Sequence, residues 1–289
     1  MLVTLTNFKN TTPIGDETAE QTYYYTIPNN AFRLEIVVLG AGGGGGGGAE
    51  STPWIGGSVQ KAGGGGGGSG GRYDVTIDNS DYTYSGIQMT IKLPKHSKGG
   101  TGRTGSGFAV HGDDGTDGGD TNIYFDYNQF THYYTFHGGK GGKQGNADAF
   151  NSGNTHAGAG GAGASPGSYE IVVNHSSVIH SETIPVISVS GSAGNGSTGG
   201  SGGASSEATG QGGGSGGNSG QGGYWAYSSN VGIYAYFKRP ELYYRNAEDN
   251  DYIRCKEVFY YLNDTSRWVA PIDISRYDGS RYVSIIPTS

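Results

Sequence analysis

Apolar and polar side chains alternate with a period of two along much of the chain, and no long run follows the 3.6-residue period of a helix. Leu34-Glu35-Ile36-Val37-Val38-Leu39 predicts a strand that runs straight into Gly40-Ala41-Gly42. Pro185-Val186-Ile187-Ser188-Val189-Ser190 predicts another, running into Gly191-Ser192-Ala193-Gly194. In the opposite sense, Gly71-Arg72-Tyr73-Asp74-Val75-Thr76-Ile77 parallels Gly167-Ser168-Tyr169-Glu170-Ile171-Val172-Val173. Both read as glycine, any residue, tyrosine, an acid and then β-branched residues, the pattern of a strand leaving a glycine tract. The pairs look like an internal duplication of a strand–glycine–glycine–strand unit. Further strands are predicted at Val231–Phe237, Glu257–Leu262 and Arg281–Ile286. The expected class is all-β, with essentially no α-helix.

Glycine changes that picture most. It makes up 58 of 289 residues, and the stretches 40–71, 99–119, 137–167 and 191–223 hold all but Gly15, Gly86, Gly232 and Gly279. There is no strict Gly-X-Y period, so this is not collagen. With 33% hydrophobic residues the chain cannot build one apolar core along its whole length. Ordered glycine must still place its backbone polar groups. A polyglycine-II helix, with three residues per turn and no internal hydrogen bonds, turns those groups outward toward neighbouring helices. We therefore expect a bundle of such helices over 40–223, its register held by strands at the ends. A β region (1–39) precedes it and a Tyr-rich β module (224–289) follows.

The net charge of −7 and the lack of a basic stripe argue against nucleic acid as a partner. The longest apolar run, Ile36–Leu39, is far too short to insert in a membrane, and Met1–Asn10 has no secretory-signal pattern. Cys255 is the single cysteine, which excludes an intrachain disulfide framework. Four G-x-S-x-G matches centre on Ser69, Ser165, Ser201 and Ser215. Three are Gly-Gly-Ser-Gly-Gly, and the fourth has Pro166 where an oxyanion-hole N–H is needed. No catalytic residue is expected.

Asp113, Asp114, Asp117 and Asp120 bring four carboxylates into eight residues, a candidate Ca²⁺ loop or simply a solvated acidic loop. The seven histidines, His96, His111, His132, His137, His156, His175 and His180, are scattered without a helical pair. The stretch Asn122–His137 carries seven aromatic rings. Such rings beside amides suit recognition, because tyrosine brings contact area at low entropic cost. The other reading is a half-buried hairpin whose alternating rings cover the bundle end. On the first reading the candidate receptor-binding residues are Tyr82, Tyr84, Tyr124, Phe125, Tyr127, Phe130, His132, Tyr133, Tyr134 and Phe136. The loops Asn79–Tyr84, His111–Asp120, Tyr124–His137 and Asn146–His156 would form the contact surface.

Tyr24-Tyr25-Thr26-Ile27-Pro28, followed by Phe32 to Gly44, resembles the opening of the glycine-rich domain of phage and prophage tail proteins. The long tracts with intervening loops resemble the tail-fibre-tip adhesins of T-even-like phages, in which polyglycine helices pack as a sandwich. Lys256–Val269 is similar to a hairpin common near the ends of phage tail proteins. The resemblance implies a non-enzymatic virion protein, assembled in the host cytoplasm, that binds a host-surface protein or glycan and other tail proteins. A homo-oligomer and a monomer would leave the same tracts. A purely structural virion part is the alternative, and an ice-binding protein, built on a flat polyglycine face, a lesser one. No cofactor beyond the candidate Ca²⁺ is implied.

Overall fold

The computed structural model describes residues 2–13, 20–151, 154–174, 176–206 and 209–237, and six short strands within 238–289. All regular elements are strands, and no α-helix occurs among the described residues. The chain forms two compact units, Val3–Tyr236 and Phe237–Ser289 with Met1–Leu2. The first unit thus takes in strands on both sides of the glycine-rich region.

Two sheets frame this unit, the second antiparallel throughout. One has the order β1 (Leu2–Lys9), β15 (Asn230–Phe237), β3 (Ala31–Leu39) and β6 (Arg72–Asp78). The other runs β14 (Ser177–Ile184), β13 (Gly167–Val173), β11 (Phe130–Phe136), β10 (Thr121–Tyr127), β7 (Gln88–Leu93) and β2 (Gln21–Thr26). Period-two alternation sends Leu34, Ile36 and Val38 of β3 to the core, and likewise Met89, Ile91 and Leu93 of β7. Val231, Ile233 and Ala235 of β15 are buried with them. Tyr73 of β6 meets Phe136 of β11 at 5.2 Å between ring centroids. The buried Tyr73 hydroxyl lies 2.7 Å from the carbonyls of both His137 and Ser165, and burial holds its pKa well above the usual phenol range. One inward tyrosine therefore ties two glycine segments to the sheets.

Between the strands run ten glycine-rich segments, at 40–48, 63–71, 97–103, 112–119, 138–145, 157–164, 189–196, 198–203, 211–218 and 221–228. We number them first to tenth. They bond to one another rather than internally, with a repeat of three residues. In the first, Gly42, Gly45 and Gly48 donate to Tyr227, Tyr224 and Gln221 of the tenth. Gly43 and Gly46 donate to Gly68 and Gly65 of the second, and Gly44 and Gly47 to Thr116 and Asp113 of the fourth. Its carbonyls accept from Gly214 and Gly217 of the ninth, Gly142 and Gly145 of the fifth, and Gly100 and Arg103 of the third. The second segment is surrounded in the same way by the first, fifth, sixth, seventh, eighth and ninth. The other eight close a ring around these two, giving rows of three, four and three, with successive segments running in opposite directions.

This layout explains where glycine is uninterrupted. Only 42–48 and 63–68 are pure glycine, and they belong to the two segments enclosed on all sides. A Cβ on Gly45 would lie 2.0 Å from the Ser215 carbonyl oxygen, and one on Gly67 2.0 Å from that of Gly43. The fourth segment keeps glycine where it faces inward and carries side chains where it faces out. Gly112, Gly115 and Gly118 back onto the first segment, while Asp114 and Asp117 point away.

Two expectations change. Pro185–Ser190 is not a strand: Ile187 makes one isolated bridge to Arg72, and Val189 already belongs to the seventh segment. Pro185 has no N–H for a ladder, and Val189 instead exchanges bonds with the backbone and hydroxyl of Ser69. The stretch 112–119 is not a loop but the fourth segment.

The second unit is described as three antiparallel hairpins. These are β16 (Tyr243–Arg245) with β17 (Tyr252–Arg254), β18 (Tyr260–Leu262) with β19 (Arg267–Val269), and β20 (Ser275–Tyr277) with β21 (Tyr282–Ser284). Strands expected at 257–262 and 281–286 correspond to β18 and β21, the remainder of each range lying outside the described residues.

Candidate binding surface

Because the segments alternate in direction, their connections fall at two ends. At one end lie the two sheets. At the other, the first and second segments are joined through 49–62, the third and fourth through 104–111, and the fifth and sixth through 146–156. The last two connections there, near 197 and 219–220, are tight turns.

Short strands anchor the three longer loops. β4 (Ala49–Thr52) pairs with β5 (Gln60–Ala62) and, in parallel, with β8 (Arg103–Ser106). β9 (Ala109–His111) pairs with β12 (Asn146–Asp148). Ala49, Ala62 and Ala147 form a small core with Val110 against it, and side chains this short let the strands approach closely. Ser51 donates to the Phe108 carbonyl at 2.7 Å, and the Gly107 N–H to the Thr52 carbonyl at 2.9 Å. Gly107 has φ +89° and supports the Trp54 indole: a Cβ there would lie 2.3 Å from the ring. Asp148 accepts from the N–H groups of Phe150 and Asn151, chiefly the former, which holds its carboxyl below the usual range.

On this base stand large apolar side chains turned to solvent. Trp54 is 66% exposed, Phe108 66% and Phe150 62%, with exposed Ile55 next to Trp54 in the chain and exposed Val59 further along the same loop. Trp54 meets Phe108 edge-on at 5.4 Å, and Phe108 meets Phe150 at 6.3 Å. Three loops thus contribute to one exposed aromatic cluster, the kind of patch that marks an interaction site. Sequence reasoning took in Phe150, within the expected contact loop Asn146–His156, but passed over Trp54 and Phe108, each a single aromatic residue in a glycine-rich stretch. A detectable signal was that each sits between two segments of an antiparallel pair.

The expected receptor-binding residues lie at the sheet end. Asn122–His137 forms the β10–β11 hairpin, paired in register from Thr121–Phe136 to Tyr127–Phe130 around Asn128-Gln129. Phe125, His132, Tyr134 and Phe136 are buried, and so are not accessible as contacts. His132 stacks on Phe125 at 4.7 Å, its Nδ1 lies 2.8 Å from the Tyr169 hydroxyl, and burial lowers its pKa. Tyr84 packs edge-on against Phe125, Tyr127 and His132. Tyr124, Tyr127, Phe130 and Tyr133 are half-buried, and Tyr82, with φ +60°, is exposed. Asn79, buried, ties its turn to the Ala31 carbonyl.

The four aspartates do not converge on one point. Asp113 pairs with Arg103 at 3.1 Å, Asp114 with Lys143 at 2.8 Å, Asp117 with Lys140 at 3.0 Å and Asp120 with His137 at 3.0 Å. The last three form a ladder between the antiparallel fourth and fifth segments, each rung three residues from the next. Asp114 and Asp117 also accept the N–H groups of Gln144 and Gly141. No cluster of three or more His, Cys, Asp or Glu suited to a metal ion occurs among the described residues. Of the histidines, His96 is buried between the Thr12 carbonyl and the Ser228 N–H, and His180 lies 3.9 Å from Glu182. His111 and His156 lie at the loop end. His175 is outside the described residues.

No protein-family model matches the chain, and no curated protein matches it.

Proposed function

We propose that the chain is a non-enzymatic phage virion protein, a tail-fibre or tail-tip adhesin, and that its host-binding surface is the aromatic cluster of the three loops. The observation that carries this reading is the placement of Trp54, Phe108 and Phe150, exposed and in mutual contact, at the end of the glycine array away from the sheets. Binding energy concentrates in such aromatic anchors, and binding residues sit on loops held by a rigid frame. In this reading the ten segments are polyglycine-II helices. The three-residue rotation of hydrogen-bond partners around the first and second segments supports that assignment, and nine residues would then span ~28 Å at ~3.1 Å each. Other virion proteins would be engaged away from the loop end.

The test is binding of the labelled protein to a panel of bacterial cells, beside two triple variants of unchanged thermal midpoint. Trp54→Ser/Phe108→Ser/Phe150→Ser is expected to lose binding. Tyr82→Ser/Tyr124→Ser/Tyr133→Ser, at the sheet end, is expected to keep it. Loss in the second variant alone would move the receptor site to the hairpin. A wild-type protein that binds no cells would favour a structural virion part.

A further inference from the structure

His111, Asn146 and His156 come from three chain segments lying side by side at the loop end. His111 closes β9 and is the direct partner of Asn146, the first residue of β12. On its other side Asn146 forms an antiparallel bridge with His156, exchanging both backbone hydrogen bonds at 2.8 Å. Asn146 therefore faces His111 as a non-hydrogen-bonded pair, the closer antiparallel geometry at ~4.5 Å between Cα atoms, and His156 as the wider one at ~5.5 Å. Directly opposed residues share a face of the ribbon. Two imidazoles thus flank one carboxamide, on the side opposite the buried Ala147. Both histidines are exposed. Asn146 Oδ1 is buried and has no hydrogen-bond partner, alone in this among the described side chains.

A buried acceptor without a donor is costly and requires an explanation. We infer that His111, His156 and the Asn146 carboxamide oxygen form a site for one divalent transition-metal ion of the zinc or nickel type. Neutral imidazoles are good donors for these ions, whereas Ca²⁺ and Mg²⁺ call for oxygen ligands throughout. The cation would satisfy the orphaned oxygen, and Asp148, two residues along the same face of β12, adds negative charge without giving up its bonds to Phe150 and Asn151. Only three protein ligands are supplied, so the remaining positions stay open to water or to a group from a binding partner. Such an arrangement suits an exchangeable ion rather than a structural one. His96, His132, His137 and His180 differ, since a ring nitrogen of each already faces a partner.

This inference stands apart from the adhesin reading. Isothermal titration of the full chain with ZnCl₂ and NiCl₂ at pH 7.5 tests it. One ion per chain is expected, with a raised thermal midpoint in the presence of metal. His111→Ala and His156→Ala, both at exposed positions, should each weaken binding by about tenfold or more, while His180→Ala leaves it unchanged. Absence of binding at millimolar metal overturns the site, as does binding that survives both alanine variants.

Discussion

A single methyl group is the natural probe of this fold at the scale of the residue. In the enclosed segments a Cβ meets backbone on a neighbouring segment, which cannot move aside as a side chain can. Gly45→Ala and Gly67→Ala should each cost about 3 kcal/mol or more, read as a large drop in thermal midpoint. Gly222→Ala, whose Cβ first meets an atom at 3.2 Å, should cost far less. His132 gives a second prediction. Burial lowers its pKa, so the unfolded chain takes up a proton at higher pH than the folded one. Its contribution to stability is present above about pH 6.5 and lost as pH falls through the lower folded value. The midpoint should drop between pH 7 and 5, and His132→Phe should flatten that drop. The sequence placed His132 in an aromatic stretch, but it could not say that the ring stacks on Phe125, since an alternating hairpin can turn either face inward.

At the scale of the element, the ladder between the fourth and fifth segments separates ion pairing from backbone satisfaction. Lys140 contributes one exposed ion pair, so Lys140→Ala should change stability by no more than ~0.5 kcal/mol. Asp117 also accepts the Gly141 N–H at 2.8 Å, and Asp117→Ala should cost about 1 kcal/mol or more. Denaturant titration of the two variants checks the order. The ladder was legible as a spacing: Asp114, Asp117 and Asp120 recur every three residues, as do His137, Lys140 and Lys143. Read as an acidic loop, the first set suggested calcium. Read with the second set on an antiparallel neighbour, it is a row of pairs along the outside of the array. The strands at 34–39, 72–77 and 167–173 were equally legible, because their alternation is local. Pro185–Ser190 looked the same on paper and differs because its bonding partner is the hydroxyl of Ser69, more than a hundred residues away.

For the whole molecule, the decisive prediction is that cell binding follows Trp54, Phe108 and Phe150 rather than the Tyr-rich hairpin, with the two triple variants as its check. The all-β class and the alternation of strand with glycine tract follow from the sequence alone, since both rest on local backbone preference. So does the identity of the enclosed segments, in principle: only a segment surrounded by others needs glycine at every position, and only 42–48 and 63–68 offer it. The tertiary structure alone decides which aromatic residues face solvent and which histidines become neighbours. An aromatic side chain serves a core and a binding surface equally well, and its composition carries no sign of which. His111, Asn146 and His156 are brought together by pairings between strands and segments, whose partners are chosen by packing far along the chain.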